Sequence, residues 1–365
     1  MNRTLAFIIF ITIALTIYFG LHFAVYKSLT RSLVQAPQGR KILLWFFLVS
    51  GLSFPAAMFL GRSLKVHVLN FYAYTWLGLI AIAAFIFLVQ FILSKIFPSH
   101  TGLLAIIALG VTGLISLVSL FNGLQPPGIK RIAIPLKNLP RELSGFSIVH
   151  LSDLHLESYK SKKRMAYIVD KVNELKPDLV VITGDLIDSD VCEEEVFCEH
   201  LKRFNVRYGI LAITGNHEFY AGLDAFKELA TRSGITILRN RGVTIAGSIQ
   251  IIGLDDDEGR RFGTVGSNLD TLIKSCDPGK PIILLYHRPL LFHEAVEKGV
   301  GLQLSGHTHA GQIPPMDLLV WLYYKYPAGL FEKNGAYIYT SSGTGLWGPD
   351  MRFLSKNEIV HITLK

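Results

Sequence analysis

Two histidines separated by one residue lie in a glycine-rich segment near the end of the chain. Residues 305–311 read SGHTHAG, with His307 and His309 inside, and they follow a short apolar run. Neutral imidazole is the commonest metal ligand in proteins, and glycine lets the backbone approach an ion closely. A spacing of two places both imidazoles on one side of an extended or turning backbone. The pair can hold two adjacent ions if other ligands converge on it, and two loop histidines without function are the alternative.

Other short apolar runs also end in side chains that bind metals. The residues that follow these runs are Asp153, His155, Asp185, Asn216, His217 and His287. Each of them alone is equally typical of a helix cap or a loop histidine. In α/β folds, however, ligands gather at the carboxyl ends of the strands. The series therefore predicts one site in which these side chains and the histidine pair meet.

The ligand types at this site indicate the metal and the reaction. Carboxylate, amide and imidazole ligands suit Mn²⁺, Fe or Zn²⁺ better than a metal that prefers thiolates. The set is large enough for two divalent ions, and the two oxygens of one carboxylate can bridge them. Two ions about 4 Å apart can clamp a phosphate and activate a water for in-line attack. The predicted chemistry is metal-assisted hydrolysis of a phosphate ester.

The second part of the chain alternates between β-rich runs and helix-like stretches. The β-rich runs are 147–151, 179–183, 210–214, 236–238, 243–252, 281–286, 301–304, 336–340 and 358–364, and the helix-like stretches are 162–175, 193–202 and 223–233. This alternation predicts an α/β domain. Pro126-Pro127-Gly128 is a linker signal before it. We divide the chain into a transmembrane region (1–121), a linker that leads into the catalytic domain (122–144) and the catalytic domain (145–365).

The first part of the chain is apolar enough to enter a bilayer. Half of the whole sequence is hydrophobic, at 50%, and the mean hydropathy is +0.38. Four nearly uncharged runs, 5–26, 42–60, 71–97 and 103–121, each approach the ~20 residues that a spanning helix needs. They predict four transmembrane helices. A cleaved signal peptide is the alternative for the first run, but the cleavage pattern at residues 34–36 is poor and three apolar runs follow it.

Charge and cysteine content narrow the partners and the location. With four spans, the N-terminus and the catalytic domain share one side, which carries seven Lys and Arg residues near the spans against five on the other. This favours a multi-pass protein of the cell membrane with a cytoplasmic catalytic domain. Because basic residues crowd the ends of the apolar runs, the net charge of +8 indicates lipid phosphates rather than nucleic acid. The three cysteines form no disulfide or zinc pattern.

The metal-binding blocks resemble those of a known family. They are Asp153-x-His155, Gly184-Asp185, Gly215-Asn216-His217-Glu218, His287 and Gly306-His307-x-His309. Together they are similar to the calcineurin-like metallophosphoesterases over residues 145–365. The resemblance implies a four-layer αββα sandwich with paired β-sheets. It implies that the first metal is bound by Asp153, His155 and His309, that Asp185 bridges, and that Asn216, His287 and His307 bind the second metal. His217 resembles the histidine that protonates the leaving oxygen.

The last part of the chain indicates a branch of this family. Residues 324–331, together with Asn334-Gly335 and Gly343-Thr344-Gly345, are similar to the membrane-associated bacterial branch. Some relatives there act on lipid-linked phosphates, including pyrophosphate cleavage of UDP-diacylglucosamine. We expect a membrane-anchored, binuclear phosphohydrolase that cleaves ester or pyrophosphate bonds of a lipid-linked phosphate, with the lipid bilayer as partner and no nucleic acid. The alternatives are a phosphodiesterase acting on nucleotides or other soluble diesters, and a non-catalytic sensor of a phosphorylated ligand.

Several polar and apolar groups outside this set have two interpretations. The acidic residues at 255–258 are expected to be a solvated run, and Asp188 is expected to start a helix. Arg288 and Arg352 either steady a phosphate oxygen or are ordinary surface arginines. The segment 313–330, rich in Leu, Trp and Tyr, is either part of the core or a lip in the membrane interface.

Overall fold

The computed structural model describes residues 3–61, 67–156, 161–188, 194–264 and 268–365. The chain divides into two compact units. The helical unit comprises 1–124, 312–317 and 348–354, and the α/β unit comprises 125–311, 318–347 and 355–365. The boundary after residue 124 lies in the predicted linker. The two short later segments of the helical unit have no counterpart in the predicted domain division.

Four long helices make up most of the helical unit. They are α1 (Arg3–Ser32), α2 (Pro37–Ala56), α3 (His67–Ile96) and α4 (Thr101–Leu124). A π-helical turn (Ala57–Gly61) follows α2, and a 3₁₀ turn (Pro98–His100) precedes α4. Three segments of the described residues are long and apolar enough to cross a membrane: Ile11–Ser32, His67–Ile96 and Pro98–Leu124. The expectation of four spans is therefore reduced to three candidate spans.

The second predicted span is not among these three candidates, and its helix is marginal in composition and regularity. Helix α2 takes Arg40 and Lys41 into its first turns, which lowers its mean hydropathy. Its regular α-helical part ends at Ala56, directly after Pro55, and a π-helical turn follows. The apolar run 42–60 is thus shared between α2 and the π-helical turn. Arg62 and Lys65, which entered the count of charges, lie outside the described residues.

Hydrogen bonds fix the direction of the first three helices. The Tyr18 hydroxyl in α1 donates to the Gly51 carbonyl in α2 at 3.0 Å, and the Tyr26 hydroxyl donates to the Arg40 carbonyl at 3.4 Å. A later position in α1 thus meets an earlier one in α2, so α1 and α2 are antiparallel. Trp76 Nε1 in α3 donates to His22 Nε2 in α1 at 2.8 Å. A second bond, from Ser28 Oγ to Gln90 Oε1 at 2.7 Å, joins later positions of both helices. Helices α1 and α3 are therefore parallel.

The segment 348–354 packs closely on α3 and α4 within the helical unit. A Cβ at Gly78 would lie 2.5 Å from Met351 Sδ, and one at Gly123 would lie 2.7 Å from the Met351 backbone nitrogen. The Arg352 N–H donates to the Ser119 carbonyl at 2.7 Å. The two glycines therefore provide the space into which this late segment fits.

The α/β unit contains two six-stranded mixed sheets. The strands are β1 (Gly128–Ile134), β2 (Ser147–Leu151), β3 (Leu179–Ile182), β4 (Ile210–Ala212), β5 (Ile235–Ile237), β6 (Arg241–Ile245), β7 (Ile249–Gly253), β8 (Ile282–Leu285), β9 (Leu302–Ser305), β10 (Gly329–Lys333), β11 (Ala336–Thr340) and β12 (Glu358–Leu364). The first sheet has the order β1-β12-β2-β3-β4-β5, and the second has the order β10-β11-β9-β8-β7-β6. Strand β12 is antiparallel to β2, while β2, β3, β4 and β5 are parallel.

Every predicted β-rich run corresponds to a strand or a pair of strands. The run 243–252 is a hairpin of β6 and β7, turned at Ala246 and Gly247, which both have positive φ. Strands β1 and β10 were not predicted. Both are edge strands in which most residues are exposed or half-buried, so their sequences lack a dense apolar run. Strand β1 lies in the segment predicted as a linker and pairs in parallel with β12.

Seven further α-helices lie in the described part of the chain after residue 124. They are α5 (Ser161–Leu175), α6 (Glu194–Lys202), α7 (Asn216–Ala221), α8 (Leu223–Arg232), α9 (Leu269–Lys274), α10 (Phe292–Glu297) and α11 (Met316–Tyr323). Helices α5, α6 and α8 share a core with one face of the first sheet. The facing sides of the two sheets share a second core, in which Val181 and Leu211 meet Ile283 and Leu304. Helices α9 and α10 cover the other face of the second sheet. The predicted α/β class with two sheets is present.

Candidate metal centre

The strand ends bring the predicted site residues together. Strands β2, β3 and β4 run into Asp153, Asp185 and Asn216, while β8 and β9 run into His287 and His307. Among the described residues there are three groups of possible ligands, and within each group the ligand atoms lie within 4.8 Å of one another. These groups are Asp153, His155 and His309; His155, Asp185 and His217; and Asp185, His287 and His307. The two histidines of the opening motif thus belong to different groups, as two adjacent ions require.

Asp185 lies between the two halves of the cluster. Its Oδ2 is 3.2 Å from His287 Nε2 and 3.8 Å from His155 Nε2. On one side His155 Nε2 lies 3.1 Å from His309 Nε2, and on the other His307 Nδ1 lies 3.1 Å from His287 Nε2. A single carboxylate therefore adjoins both groups of imidazoles.

The backbone at the site adopts conformations that side chains usually avoid. Five of the eight predicted site residues have positive φ, and they are Asp153, His155, Asp185, His307 and His309. Such left-handed conformations are uncommon for residues other than glycine and cluster at functional sites. The sequence analysis placed the histidine pair on an extended or turning backbone, and the structure has the turning form.

Two glycines permit the close approach of the loops. A Cβ at Gly306 would lie 2.9 Å from Ser152 Cβ and closer still to the Asp153 carboxylate. One at Gly215 would collide with the Asp185 side chain and lie 2.7 Å from the Asp185 backbone nitrogen. Side chains at these positions would therefore push the ligand loops apart, which explains glycine before His307 and before Asn216.

The donor atoms fit a pair of divalent ions. Asn216 Oδ1 is buried and, within the described part of the chain, accepts no hydrogen bond. A buried amide oxygen normally has a partner, and a metal ion would supply one. Burial lowers the pKa of His155 to about 4 and that of His307 to about 3. Both imidazoles are therefore neutral at pH 7, which is the form that binds metals.

Comparisons with known proteins agree with this geometry. The family model of the calcineurin-like phosphoesterases matches residues 146–311. An uncharacterized metallophosphoesterase of Aquifex aeolicus is 32% identical over 246 residues, which cover 65% of this chain and 91% of that protein. The chain belongs to the calcineurin-like metallophosphoesterases.

Another relative of this metallophosphoesterase is named as a transmembrane protein. A transmembrane protein with metallophosphoesterase domain from Danio rerio is 36% identical over 272 residues, which cover 71% of this chain and 62% of the relative. The chain thus spans less than two thirds of that relative. The crystal structure of a dimetal phosphatase from Danio rerio matches 55% of this chain at 15% identity and a TM-score of 0.38, too low to bear on the site.

Glu218 holds the loop that carries Asp185 and was not predicted as a site residue. Its carboxylate accepts hydrogen bonds from the backbone N–H groups of Asp185 at 3.0 Å, Leu186 at 2.7 Å and Ile187 at 3.2 Å. It also accepts one from Gly215 at 2.6 Å. Burial and the charge of Asp185 raise the pKa of Glu218 to about 7. The sequence analysis included Glu218 in the block Gly215-Asn216-His217-Glu218 but assigned it no role.

Asp188 contacts His217 in this metallophosphoesterase. The sequence analysis took Asp188 as the start of a helix, but its Oδ1 accepts a hydrogen bond from His217 Nδ1 at 2.8 Å. Residues 189–193, where that helix was expected to begin, lie outside the described residues. Burial lowers the pKa of His217, but Asp188 and Asp185 raise it more, to about 9. Both carboxylates therefore favour the protonated form of the His217 imidazole.

The expectation of a solvated acidic run at 255–258 is wrong. Asp255 and Asp256 are buried. Arg239 Nη2 donates to Asp255 at 2.7 Å, and Arg288 donates to both oxygens of Asp256 at 2.7 and 2.8 Å. These carboxylates can be buried because arginines form ion pairs with them. Arg288 is thus part of an ion pair, and Arg352, which is fully buried in the helical unit, is not a surface arginine.

Proposed function

We propose that this chain is a membrane-anchored phosphohydrolase that uses two divalent ions, Mn²⁺, Fe or Zn²⁺, and cleaves ester or pyrophosphate bonds of a lipid-linked phosphate. The observation that carries the proposal is the position of Asp185 between two groups of buried ligands. We assign Asp153, His155 and His309 to one ion and Asn216, His287 and His307 to the other, with Asp185 shared. We take the two sheets and their outer helices as the four layers of an αββα sandwich. We keep 1–121, 122–144 and 145–365 as its domains.

The residues around the ions have separate roles in the proposed reaction. When bound, the ions polarise the phosphate and supply a nucleophile at neutral pH. His217 donates a proton to the leaving oxygen, and Asp188, 2.8 Å from its Nδ1, fixes the orientation of the ring. Glu218 keeps the Asp185 loop in place through its bonds to backbone N–H groups. Tyr220 and Trp347, whose ring centroids lie 5.5 and 5.9 Å from that of His217, flank the leaving group.

An exposed apolar surface beside the site supports a lipid-linked substrate. In α11 the side chains of Trp321, Leu322 and Tyr323 are 59%, 74% and 76% exposed. Tyr324 follows directly, and its ring centroid lies 6.0 Å from that of His307. Trp and Tyr are favoured where a membrane meets water. For the α11 part of the segment 313–330 we therefore favour the lip in the membrane interface, whereas Leu330 belongs to the edge strand β10.

The first experiment tests the metal requirement. We expect the purified protein to hydrolyse an aryl phosphate ester with Mn²⁺, to lose the activity when a chelator removes the ion, and to regain it when Mn²⁺ is restored. Released phosphate or aryl alcohol is the measurement. Protein that binds Mn²⁺ and the ester without turnover would favour the sensor, and full activity in the presence of the chelator would contradict a metal mechanism.

The second experiment tests the lipid substrate. We expect the double variant Leu318→Ser/Leu322→Ser to lose activity on lipid phosphates in vesicles by about tenfold or more, because each leucine side chain contributes about 1.5–3 kcal/mol when it leaves water completely. Activity on a soluble aryl ester should not change. The control is Leu330→Ser, an exposed leucine in the edge strand β10. An equal loss on both substrates, or turnover of soluble nucleotide diesters alone, would reject the lipid-linked substrate.

We further propose that α2 also crosses the membrane and that the catalytic domain is cytoplasmic. Because α1 and α3 are parallel, the chain must return between them, and a 20-residue helix spans ~30 Å, the thickness of the hydrocarbon core. With four crossings, seven Lys and Arg residues near the spans lie on the side of the catalytic domain and five lie on the other side. The side with more basic residues is normally cytoplasmic. All three cysteines lie in the catalytic domain. An impermeant maleimide should therefore label the protein only in permeabilised cells, and labelling in intact cells would place that domain outside.

A further inference from the structure

A half-open cavity lies in the helical unit, between α1, α3 and the start of α4. Its volume is about 580 Å³, within the range of small-molecule sites. Its walls are mainly apolar and include Phe23, Phe87, Leu88 and Phe91. At one end the lining contains three cations, Lys27, Arg31 and Lys95. The cavity therefore joins an apolar volume to a cationic end.

These cations have no acidic partner in the helical region. Residues 1–124 contain eight lysines and arginines and no aspartate or glutamate. That excess equals the net charge of +8 of the whole chain. Over the described ranges, Lys27, Arg31 and Lys95 form no ion pair, and Lys95 Nζ lies 5.4 Å from the centroid of the Phe91 ring. Counterions for these three groups must come from outside the helical unit.

The uncharged polar groups of the cavity bind one another. Ser28 Oγ donates to Gln90 Oε1 at 2.7 Å, and Gln90 Nε2 donates to Ser94 Oγ at 2.8 Å. Gln90 is buried and fully engaged through its amide. A ligand is therefore attracted by the cations and the apolar walls and not by this hydrogen-bonded row.

The cavity is separate from the metal centre. All of its lining residues belong to the helical unit. It lies where α4 begins, and the 24 residues of α4 carry the chain roughly 35 Å to Leu124, at 1.5 Å per residue. A ligand in this cavity would therefore contact none of the residues of the metal centre.

We propose that this cavity binds one anionic phospholipid. The head-group phosphate contacts Lys27, Arg31 and Lys95, and an acyl chain lies along Phe23, Phe87 and Leu88. Basic pockets between membrane helices recognise anionic head groups in this way, and the apolar volume distinguishes a lipid from a free phosphate ion. The proposal goes beyond the hydrolytic function and does not depend on it.

Native mass spectrometry of the full-length protein in detergent tests the proposal. The protein is incubated with equal amounts of phosphatidylglycerol and phosphatidylcholine. We expect one retained phosphatidylglycerol, favoured at least about tenfold over phosphatidylcholine, and no displacement by excess inorganic phosphate. The variant Lys27→Gln/Arg31→Gln should lose this preference. The matched control Arg40→Gln/Lys41→Gln removes the same charges from positions that do not line the cavity and should keep it.

A second variant tests the apolar part without a change of charge. Ala84→Trp fills the cavity and should abolish retention of the lipid, while thermal unfolding in detergent reports whether the helices remain folded. Equal retention of both lipids, an equal loss in the control variant, retention in a folded Ala84→Trp protein or displacement by inorganic phosphate would each overturn the proposal. None of these measurements involves hydrolysis, so they are independent of the test of the enzyme.

Discussion

The variant Asp185→Asn is expected to lose more than about 100-fold in phosphoesterase activity and to retain less metal than the unchanged protein. Partners that only orient a ligand typically cost 10–100-fold when they are removed, and Asp185 adjoins both groups of ligands directly. An amide has one oxygen instead of two and no charge, so it cannot serve both ions equally. Metal content by atomic emission and hydrolysis of an aryl ester are the two measurements.

Asp224→Asn is the matched control for this change. Asp224 lies on α8 in an exposed pair with Lys227, at 3.0 Å, and exposed pairs contribute little. Its loss should leave activity and metal content unchanged. If Asp185→Asn kept two ions per chain and most of its activity, the assignment of Asp185 as the shared ligand would be wrong.

The variant His217→Ala is expected to keep its metals and to lose turnover by about 10²–10⁴-fold on alkyl esters. A positioned proton donor contributes that factor when the leaving alkoxide must be protonated. The loss should be smallest for aryl esters, whose leaving group needs no proton. Rates on both ester types and metal content per chain are measured together.

Asp188→Asn separates orientation of the ring from proton donation. Asp188 accepts a hydrogen bond from His217 Nδ1 at 2.8 Å. We therefore expect Asp188→Asn to lose more activity on alkyl esters than on aryl esters, as His217→Ala does, but by only about 10–100-fold. The control is His200→Ala, which replaces a half-buried histidine on α6 and should leave the rates on both esters unchanged. If His217→Ala lost equal activity on alkyl and aryl esters, the assignment of His217 as the proton donor would be wrong.

The cluster of candidate ligands was predictable because each of its members follows a local apolar run. Asp153, Asp185 and His287 stand directly after buried strands, and the parallel strands of a sheet bring such ends to one edge. Glu218 and Asp188 were missed because their partners lie 29 to 33 positions away in the sequence. The residues next to Asp188 in the sequence do not indicate a contact with His217. That contact exists only once the loops after β3 and β4 meet.

The membrane region was predictable as apolar helices but not in its details. The composition alone predicts the positions of α3 and α4. The bounds of α2 depend on where charged residues and Pro55 lie within a run of marginal hydropathy. The buried acidic run was misjudged for a related reason. Four consecutive acidic residues look solvated unless the positions of Arg239 and Arg288 in the fold are known. Long-range pairing of charges is invisible to a local pattern.

The packing of residues 348–354 on α3 and α4 sets an order of events during synthesis. Met351, which fills the space above Gly78 and Gly123, follows Gly123 by more than two hundred residues. At ~5–20 residues per second, a ribosome needs roughly ten to fifty seconds to reach it. During that interval the glycine faces of both helices stand open to other helices in the bilayer. The membrane part of the protein, though made first, is completed only when nearly all of the phosphoesterase sequence has been translated.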